Sequence, residues 1–388
     1  MEKETKPMGR GSDRWLIALA VILLAAVGLS VMVLPKASFS ERENRVLTTW
    51  RAPTAEELLT GQFAETLRDL YADQFPLRTT LTSWKAAAQI TLGLGENNGI
   101  LFGKDGYLIP RPTDAESETF RRTLGAMEDF FAETEGRGIP LCGLFVPRSA
   151  EVMSDCLPTL YARFSNTSTE ESGWKALEAC SFETVIPLEE LRKGAREGRQ
   201  TQYRTDHHWT TYGAYLAYRA VAPALGIVPK EEPFFRVETV SEDFLGSSYA
   251  TAGCVAKQAD SVELYRFEGE DRFVIRNEET GQTLEGFYDR SAIEGAGQYE
   301  VFLGGNYGRI TVTEPAEQTR PRLLLIKDSY ANSLIPFLAL HFDLDVIDLR
   351  YYPRTVTELL DRNSYDRVLI LQGIQTLIDE PSLAKLAR

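Results

Sequence analysis

Leu323-Leu324-Leu325-Ile326-Lys327-Asp328-Ser329-Tyr330-Ala331-Asn332 is the stretch that decides the fold. Four apolar residues in succession read as a buried strand, Lys327-Asp328 breaks the run, and the residues from Tyr330 to Leu340 take up the apolar spacing of a helix. Ser329 therefore falls at a strand-to-helix turn. There a hydroxyl stands clear of the sheet, and the first backbone N–H groups of the helix face whatever binds beside it. A second stretch, Thr205-Asp206-His207-His208-Trp209-Thr210, holds the base and the carboxylate that such a serine needs. The two stretches are expected to meet in space.

Outward from Ser329, the C-terminal third alternates. The strand 323–326, a helix over 330–340, a strand over Leu344 to Leu349, a helix over Val356 to Leu360 and a strand over Arg367 to Leu371 predict parallel strands joined by right-handed crossovers. Ligands of such sheets bind at the carboxyl ends of the strands. Upstream, Gly99 to Ile109 reads as a hairpin around a Gly-rich turn, and a helix from about Glu116 to Thr134 precedes a buried strand from Leu141 to Pro147. Thr184 to Pro187 is a further short apolar run. Thr210 to Leu225 has helical spacing, with Pro223 disturbing its last turn and Gly226 ending it. Residues 232–320, with runs such as Arg272 to Arg276 and Tyr299 to Leu303, predict a β-rich insertion. The fold class expected is α/β.

Near the N-terminus, Trp15 to Leu34 is twenty residues without a charge, the length of a helix that crosses a bilayer. Lys3, Lys6, Arg10 and Arg14 precede it, so the positive-inside bias makes residues 1–14 a cytoplasmic tail, residues 15–34 the transmembrane helix, and the remainder extracellular at the cell membrane. A cleaved signal peptide, with Ala37 and Ser38 beyond it, is the competing reading. Ser40 to Arg45 is a charged segment. Over residues 54–93 the residues Leu58, Leu59, Phe63, Leu67, Leu70 and Tyr71 make one helical stripe, interrupted at Asp73-Gln74-Phe75-Pro76-Leu77-Arg78 by the restriction a proline places on its predecessor. Residues 36–95 are expected to form a membrane-proximal helical region packed on a catalytic domain of residues 96–388.

The 388 residues carry a net charge of −14, and residues 1–14 contribute four basic and three acidic side chains, which leaves −15 for the rest. So acidic a chain without a basic stripe is not expected to bind nucleic acid. Cys142 lies in an apolar run and reads as a small buried hydrophobe, whereas Cys156 and Cys180 are the pair to test first for a disulfide, Cys254 being the fourth cysteine. With three histidines, two of them adjacent, no zinc or other metal site is expected.

A serine hydroxyl is a weak nucleophile until a base takes its proton, and the base needs a third group to fix its tautomer. Ser329 would be the nucleophile, His208 the base and Asp206 the orienter, although a turn could exchange the roles of His207 and His208. An Asp-x-His before a helix is also commonly an N-cap and nothing more. Asn306, in Gly304-Gly305-Asn306-Tyr307-Gly308, is the candidate oxyanion donor beside the backbone N–H of Ser329 or Tyr330. Trp209, Tyr212, Tyr307 and Tyr330 are candidates to stack on sugar, with His207 a further contact.

Thr205-Asp206-His207-His208-Trp209-Thr210 resembles the signature of the DHHW protein family, and its Asp-x-His-Trp core is similar to that of the alginate O-acetyltransferases of SGNH-hydrolase-like fold. Lys327-Asp328-Ser329-Tyr330 resembles their nucleophile segment and the Gly-Asp-Ser block of GDSL esterases, with lysine standing where those have glycine. The stretches Asp73 to Arg78 and Gly103 to Leu108 share the likeness, which covers most of residues 40–375. The resemblance implies a three-layer SGNH-hydrolase-like fold and a Ser329-His208-Asp206 triad without cofactor. It also implies an acetyl-serine intermediate, a cell-wall or exported polysaccharide as acceptor, and a membrane acyltransferase of the MBOAT type as acetyl donor. A carbohydrate acetylesterase with the same triad and a non-catalytic glycan-binding assembly protein are the alternatives.

Overall fold

Leu323, Leu324, Leu325 and Ile326 are all completely buried, and the two-residue period of a strand sends them alternately to opposite faces. In the computed structural model, which describes residues 10–33, 36–40, 45–113, 117–159, 161, 167–284, 286–295, 297–316 and 319–387, they form the middle of an eight-stranded sheet. Its strands are β1 (Leu141–Val146), β2 (Glu183–Val185), β3 (Val274–Asn277), β4 (Thr283–Leu284), β5 (Arg309–Thr313), β6 (Arg322–Lys327), β7 (Asp343–Ile347) and β8 (Arg367–Gly373). Across the sheet the order is β4-β3-β5-β7-β6-β8-β1-β2.

From β7 through β2 the strands run parallel, as their continuous apolar runs predict. Leu323, Leu325, Leu344, Val346, Leu369 and Leu371 meet Tyr215 and Tyr218 of the helix Thr211–Val221 and Phe337 of the helix Ile335–Ala339. On the opposite face Leu324, Ile326, Val368 and Ile370 meet Phe120, Met127 and Phe130 of Glu118–Gly136 and Leu359 of Val356–Arg362. The molecule is thus a mixed α/β fold with helices on both faces of one large sheet.

Three expectations about the local structure of the C-terminal half differ from the structure. The helix expected over 330–340 is a 3₁₀ turn, Ser329–Ser333, followed by a short α-helix. The Asp328 carboxylate accepts from the Tyr330 N–H and tightens the first turn, and Pro336 has no N–H to continue an α ladder. The run Tyr299 to Leu303 is not a strand: Gln298–Val301 is a 3₁₀ turn and Leu303, Gly304 and Gly305 all have positive φ, so the chain reverses there. The β-rich segment expected over 232–320 is only partly a separate layer, because its strands β3, β4 and β5 extend the main sheet antiparallel beside β7. Among the described residues, the rest of its strand content is the antiparallel pair Arg236–Phe244 and Asp260–Arg266.

The junction of the two halves is stitched by Asp345, which is 2% exposed. It accepts from Arg309 Nε and Nη2, both at 2.8 Å, and from the Tyr365 hydroxyl at 2.6 Å. All four cysteines are free, so the Cys156–Cys180 bridge is not formed; Cys156 packs with Tyr107 and Ile109, and Cys180 against a different cluster with Phe182.

The helix Arg10–Val33 contains a window, Arg14–Val31, of mean hydropathy 2.3 and 6% burial. By length and composition it suffices to cross a membrane, and a signal sequence so near the N-terminus passes the same test. Most of the expected cytoplasmic tail, residues 41–44 of the charged segment and the expected helix start at Glu116 lie outside the described residues. The helices Ala55–Thr60, Gln62–Asp73 and Arg78–Thr91 bury only Leu70 and Ala86, while Leu58, Leu59, Leu77 and Trp84 are exposed, so the expected stripe is mostly uncovered. The interruption at 73–78 ties down the preceding segment: Gln74 Nε2 donates to Ala37 O and Thr48 O, and Asp73 accepts from Thr48 N.

Removing Asp345 leaves the buried Tyr365 hydroxyl without its acceptor and the partly exposed Arg309 guanidinium without its partner, at a cost of about 1–3 kcal/mol. Asp345→Ala is therefore expected to lower unfolding stability by about that much, measured by urea titration of the full chain, and a loss below about 1 kcal/mol would contradict the role given to this junction.

Candidate active site

The turn after β6 leaves Ser329 partly exposed between fully buried neighbours. Its partner loop is fixed from beneath by Asp260, which is 1% exposed and accepts from the backbone N–H groups of Arg204 and Thr205 and from the Thr205 hydroxyl. Thr210 caps the helix Thr211–Val221 by accepting from Gly213 N. Between these two anchors, residues 206–209 have little freedom.

The fully buried Trp209 indole N–H donates to Tyr330 O and to Ser333 Oγ, each at 3.0 Å. The Tyr330 hydroxyl returns a bond to His207 O at 2.7 Å. These contacts clamp segments 121 residues apart in sequence and bring His208 Nε2 to 2.7 Å from Ser329 Oγ. On its other side, His208 Nδ1 lies 2.6 Å from Asp206 Oδ1. A carboxylate only accepts, so Nδ1 carries the proton and Nε2 presents its lone pair to the serine hydroxyl.

Burial alone would raise the Asp206 pKa, but His208, His207 and the bond from Ser247 N outweigh it and hold the carboxyl well below the usual carboxylate range. It is ionised wherever the imidazole is functional. Gly246 is required beside it, because a Cβ at that position would overlap the carboxylate. Tyr299, absent from the sequence reading, stacks flat on the His208 ring with centroids 3.9 Å apart and planes 7° from parallel. Burial keeps its hydroxyl protonated, and it donates to Ser329 O at 3.1 Å. A run misread as a strand hid it.

The candidate oxyanion donors do not all survive. Tyr330 N–H is spent on Asp328 Oδ1 at 3.0 Å, which leaves Ser329 N–H as the backbone donor of the turn with no acceptor among the described residues. Burial raises the Asp328 pKa, opposed by donors at Gly373 N and Thr376 Oγ1. Asn306 is exposed, and its carboxamide oxygen lies 2.6 Å from Lys327 Nζ. Trp209 is inaccessible and joins the two segments, so it has no face to offer a sugar. His207 and Tyr330 do line a cavity of 470 Å³ beside the triad, together with Ser247, Arg148 and Arg350, whereas Tyr212 belongs to the core and Tyr307 borders a separate cavity. Asp206, His207 and His208 have donor atoms within 4.8 Å of one another, a spacing that suits a metal ion. Both oxygens of Asp206 and both ring nitrogens of His208 already take part in the hydrogen bonds described.

A family model described as DHHW protein matches residues 186–347, a span that contains both motifs and meets the resemblance read from them. A probable alginate O-acetylase AlgJ of Pseudomonas putida is 26% identical over 175 residues, 43% of this chain and 44% of that protein. Its counterpart in Azotobacter vinelandii is 23% identical over 194 residues, 47% and 49% of the two chains. The matched part thus spans less than half the length of these relatives. A solved DHHW family protein from Eubacterium siraeum shares the fold with a TM-score of 0.63 at 21% identity, over 75% of this chain and 95% of that one. PatB1 of Bacillus cereus, solved with a sulfonyl adduct, does so with a TM-score of 0.60 at 19% identity, over 74% and 100%.

A shift of about 1 Å in such a constellation costs on the order of a hundredfold in rate. Gly246→Ala is expected to push Asp206 off the imidazole and to slow labelling of Ser329 by a fluorophosphonate probe by at least about tenfold. Labelling of the folded variant at the rate of the parent would show that Asp206 does not orient His208.

Proposed function

We propose that this chain is a membrane-anchored O-acetyltransferase of SGNH-like fold that acetylates a cell-wall or exported polysaccharide. In this reading residues 15–34 are a single-pass anchor with a cytoplasmic N-terminus, residues 36–95 are membrane-proximal, and residues 96–388 carry the chemistry outside the cell. A membrane acyltransferase of the MBOAT type supplies the acetyl group. The observation that carries the proposal is the unbroken line of contacts Asp206–His208–Ser329 at 2.6 and 2.7 Å, at a serine that is only partly buried. The curated relatives named as probable alginate O-acetylases and the shared fold support it.

The steps follow from the contacts. Ser329 Oγ attacks the acetyl carbonyl of the donor as its proton passes to His208 Nε2, and Asp206 stabilises the imidazolium through Nδ1–H. The tetrahedral intermediate collapses to acetyl-Ser329, and the leaving oxygen takes the proton from His208. A sugar hydroxyl then gives its proton to His208, attacks the ester carbonyl and leaves as the O-acetyl sugar, while Ser329 recovers the proton.

The test uses the full chain in detergent with an aryl acetate as donor and an oligosaccharide as acceptor. Acetylated oligosaccharide is expected, with Ser329→Ala and His208→Ala each lowering its formation by at least about a thousandfold. Release of acetate without acetylated sugar would replace this reading with a carbohydrate acetylesterase. No Ser329-dependent turnover or labelling would leave a glycan-binding protein.

A further inference from the structure

Lys327 ends β6 two residues before Ser329, and its side chain is 3% exposed. Taking an ammonium out of water is costly unless its protons are placed. Here they face Asn306 Oδ1 at 2.6 Å, Asn332 Oδ1 at 2.8 Å and Asp348 Oδ2 at 3.5 Å. Asp348 is completely buried and is itself gripped by Arg350 through Nε at 2.9 Å and Nη2 at 2.6 Å. An ammonium has three protons and no lone pair, so each asparagine can turn only its oxygen toward it. That requirement fixes both amino groups.

The Asn332 amino group is then spent on Gly305 O at 3.3 Å and Asn306 Oδ1 at 3.2 Å. The Asn306 amino group has no acceptor among the described residues, and Asn306 is exposed. Its loop, bent by positive φ at Leu303, Gly304 and Gly305, is docked on residues two before and three after Ser329.

We propose that Lys327 is a positioning residue that, with Asn332, locks the Asn306 carboxamide by its oxygen and so presents its amino group, beside the Ser329 N–H, to the oxyanion formed on Ser329. This rests on the acyl-serine reading above and goes beyond it. The ammonium also polarises the amide whose oxygen it holds, which strengthens the amino group as a donor. A glycine before Asp-Ser would leave the amide free to flip.

The charged groups facing Lys327 are Asp348, Arg350 and Asp328. Burial depresses its pKa to about 8, with Asp348 opposing, so the lock releases within an assayable range. A neutral amine has a lone pair and accepts a flipped carboxamide.

The experiment measures kcat and KM for an aryl acetate across pH 6 to about 10 with the full chain in detergent, on the parent, Asn306→Asp, Asn306→Ala, Lys327→Met and the Lys327→Met/Asn306→Ala double variant. Asn306→Asp keeps the oxygen on Lys327 and removes the amino group. Its kcat is expected to fall about a hundredfold with KM nearly unchanged, the loss typical of one oxyanion donor. Lys327→Met should lose a similar factor, and the double variant no more than the worse single one. The parent's kcat should decline above about pH 8, and Asn306→Ala should flatten that decline. Should Lys327→Met not fold, Asn306→Asp and the two pH profiles decide. Retention of kcat by Asn306→Asp, losses that multiply, or a decline unchanged by Asn306→Ala would each overturn the proposal while Ser329-dependent turnover of the parent left the parent reading standing. A parent without such turnover overturns both.

Discussion

A buried N–H must find an acceptor, and in this protein the donor that matters most is the indole of Trp209. It has no access to water, and the acceptors it finds, Tyr330 O and Ser333 Oγ, belong to the turn after β6. Leaving that donor unsatisfied would cost about 1–3 kcal/mol, so the loop at 205–210 and the turn at 329–333 are bound together by the same requirement that lets Trp209 be buried at all. The 2.7 Å contact of His208 with Ser329 follows from this lock. Tyr299 closes it from the other side, with its ring on the imidazole and its hydroxyl on the Ser329 carbonyl.

The sheet supplies the rigidity behind the lock. β6 has a parallel neighbour on each side, and both of its faces are covered by aromatic and aliphatic side chains, so its carboxyl end is held wherever the layers hold it. The antiparallel strands β3, β4 and β5 widen the same sheet, and the segment between β4 and β5 delivers Tyr299 and Asn306 to the site. The extension of the sheet and the completion of the site are therefore one structural event, dependent on the Arg309–Asp345 junction that joins β5 to β7.

Much of this was legible in the sequence because it rests on strong local signals. An unbroken apolar run ended by Lys327-Asp328 defines a buried strand and its exit, and Asp206-x-His208-Trp209 before a capped helix marks the second segment. What stayed hidden depends on partners distant in sequence. Tyr299 sits in a run whose alternation mimics a strand, because a 3₁₀ turn against a core buries a similar set of residues. The loss of Tyr330 N–H as an oxyanion donor follows from Asp328 capping its own turn, the common role of an Asp before a helix. Trp209 was read by its ring, whereas the structure uses its N–H. The stripe of residues 58–71 has a genuine helical period, but period reports amphipathicity and says nothing of what covers the apolar face; here Leu58 and Leu59 remain exposed.

The charges around the turn form two separate accounts of the same demand. On the imidazole side, Asp206 is kept anionic by two histidines and backbone donors, so the positive charge that forms on His208 has a fixed partner. On the opposite side, the buried Lys327 and Asp348, with the partly exposed Arg350 on Asp348, form a set whose contacts end on the Asn306 carboxamide. A reaction that moves a proton from Ser329 to His208 while negative charge grows on an acyl oxygen separates charge along that line. Dipoles already oriented for it need no rearrangement during the step, which is where preorganisation lowers a barrier. Under the acetyl transfer proposed above, choosing a sugar hydroxyl over water would ask for something else: the acceptor must be held by binding, because effective molarity is what lets one hydroxyl outcompete bulk solvent. A cavity of 470 Å³ edged by His207, Tyr330 and Arg350 adjoins the triad through the residues next to His208 and Ser329.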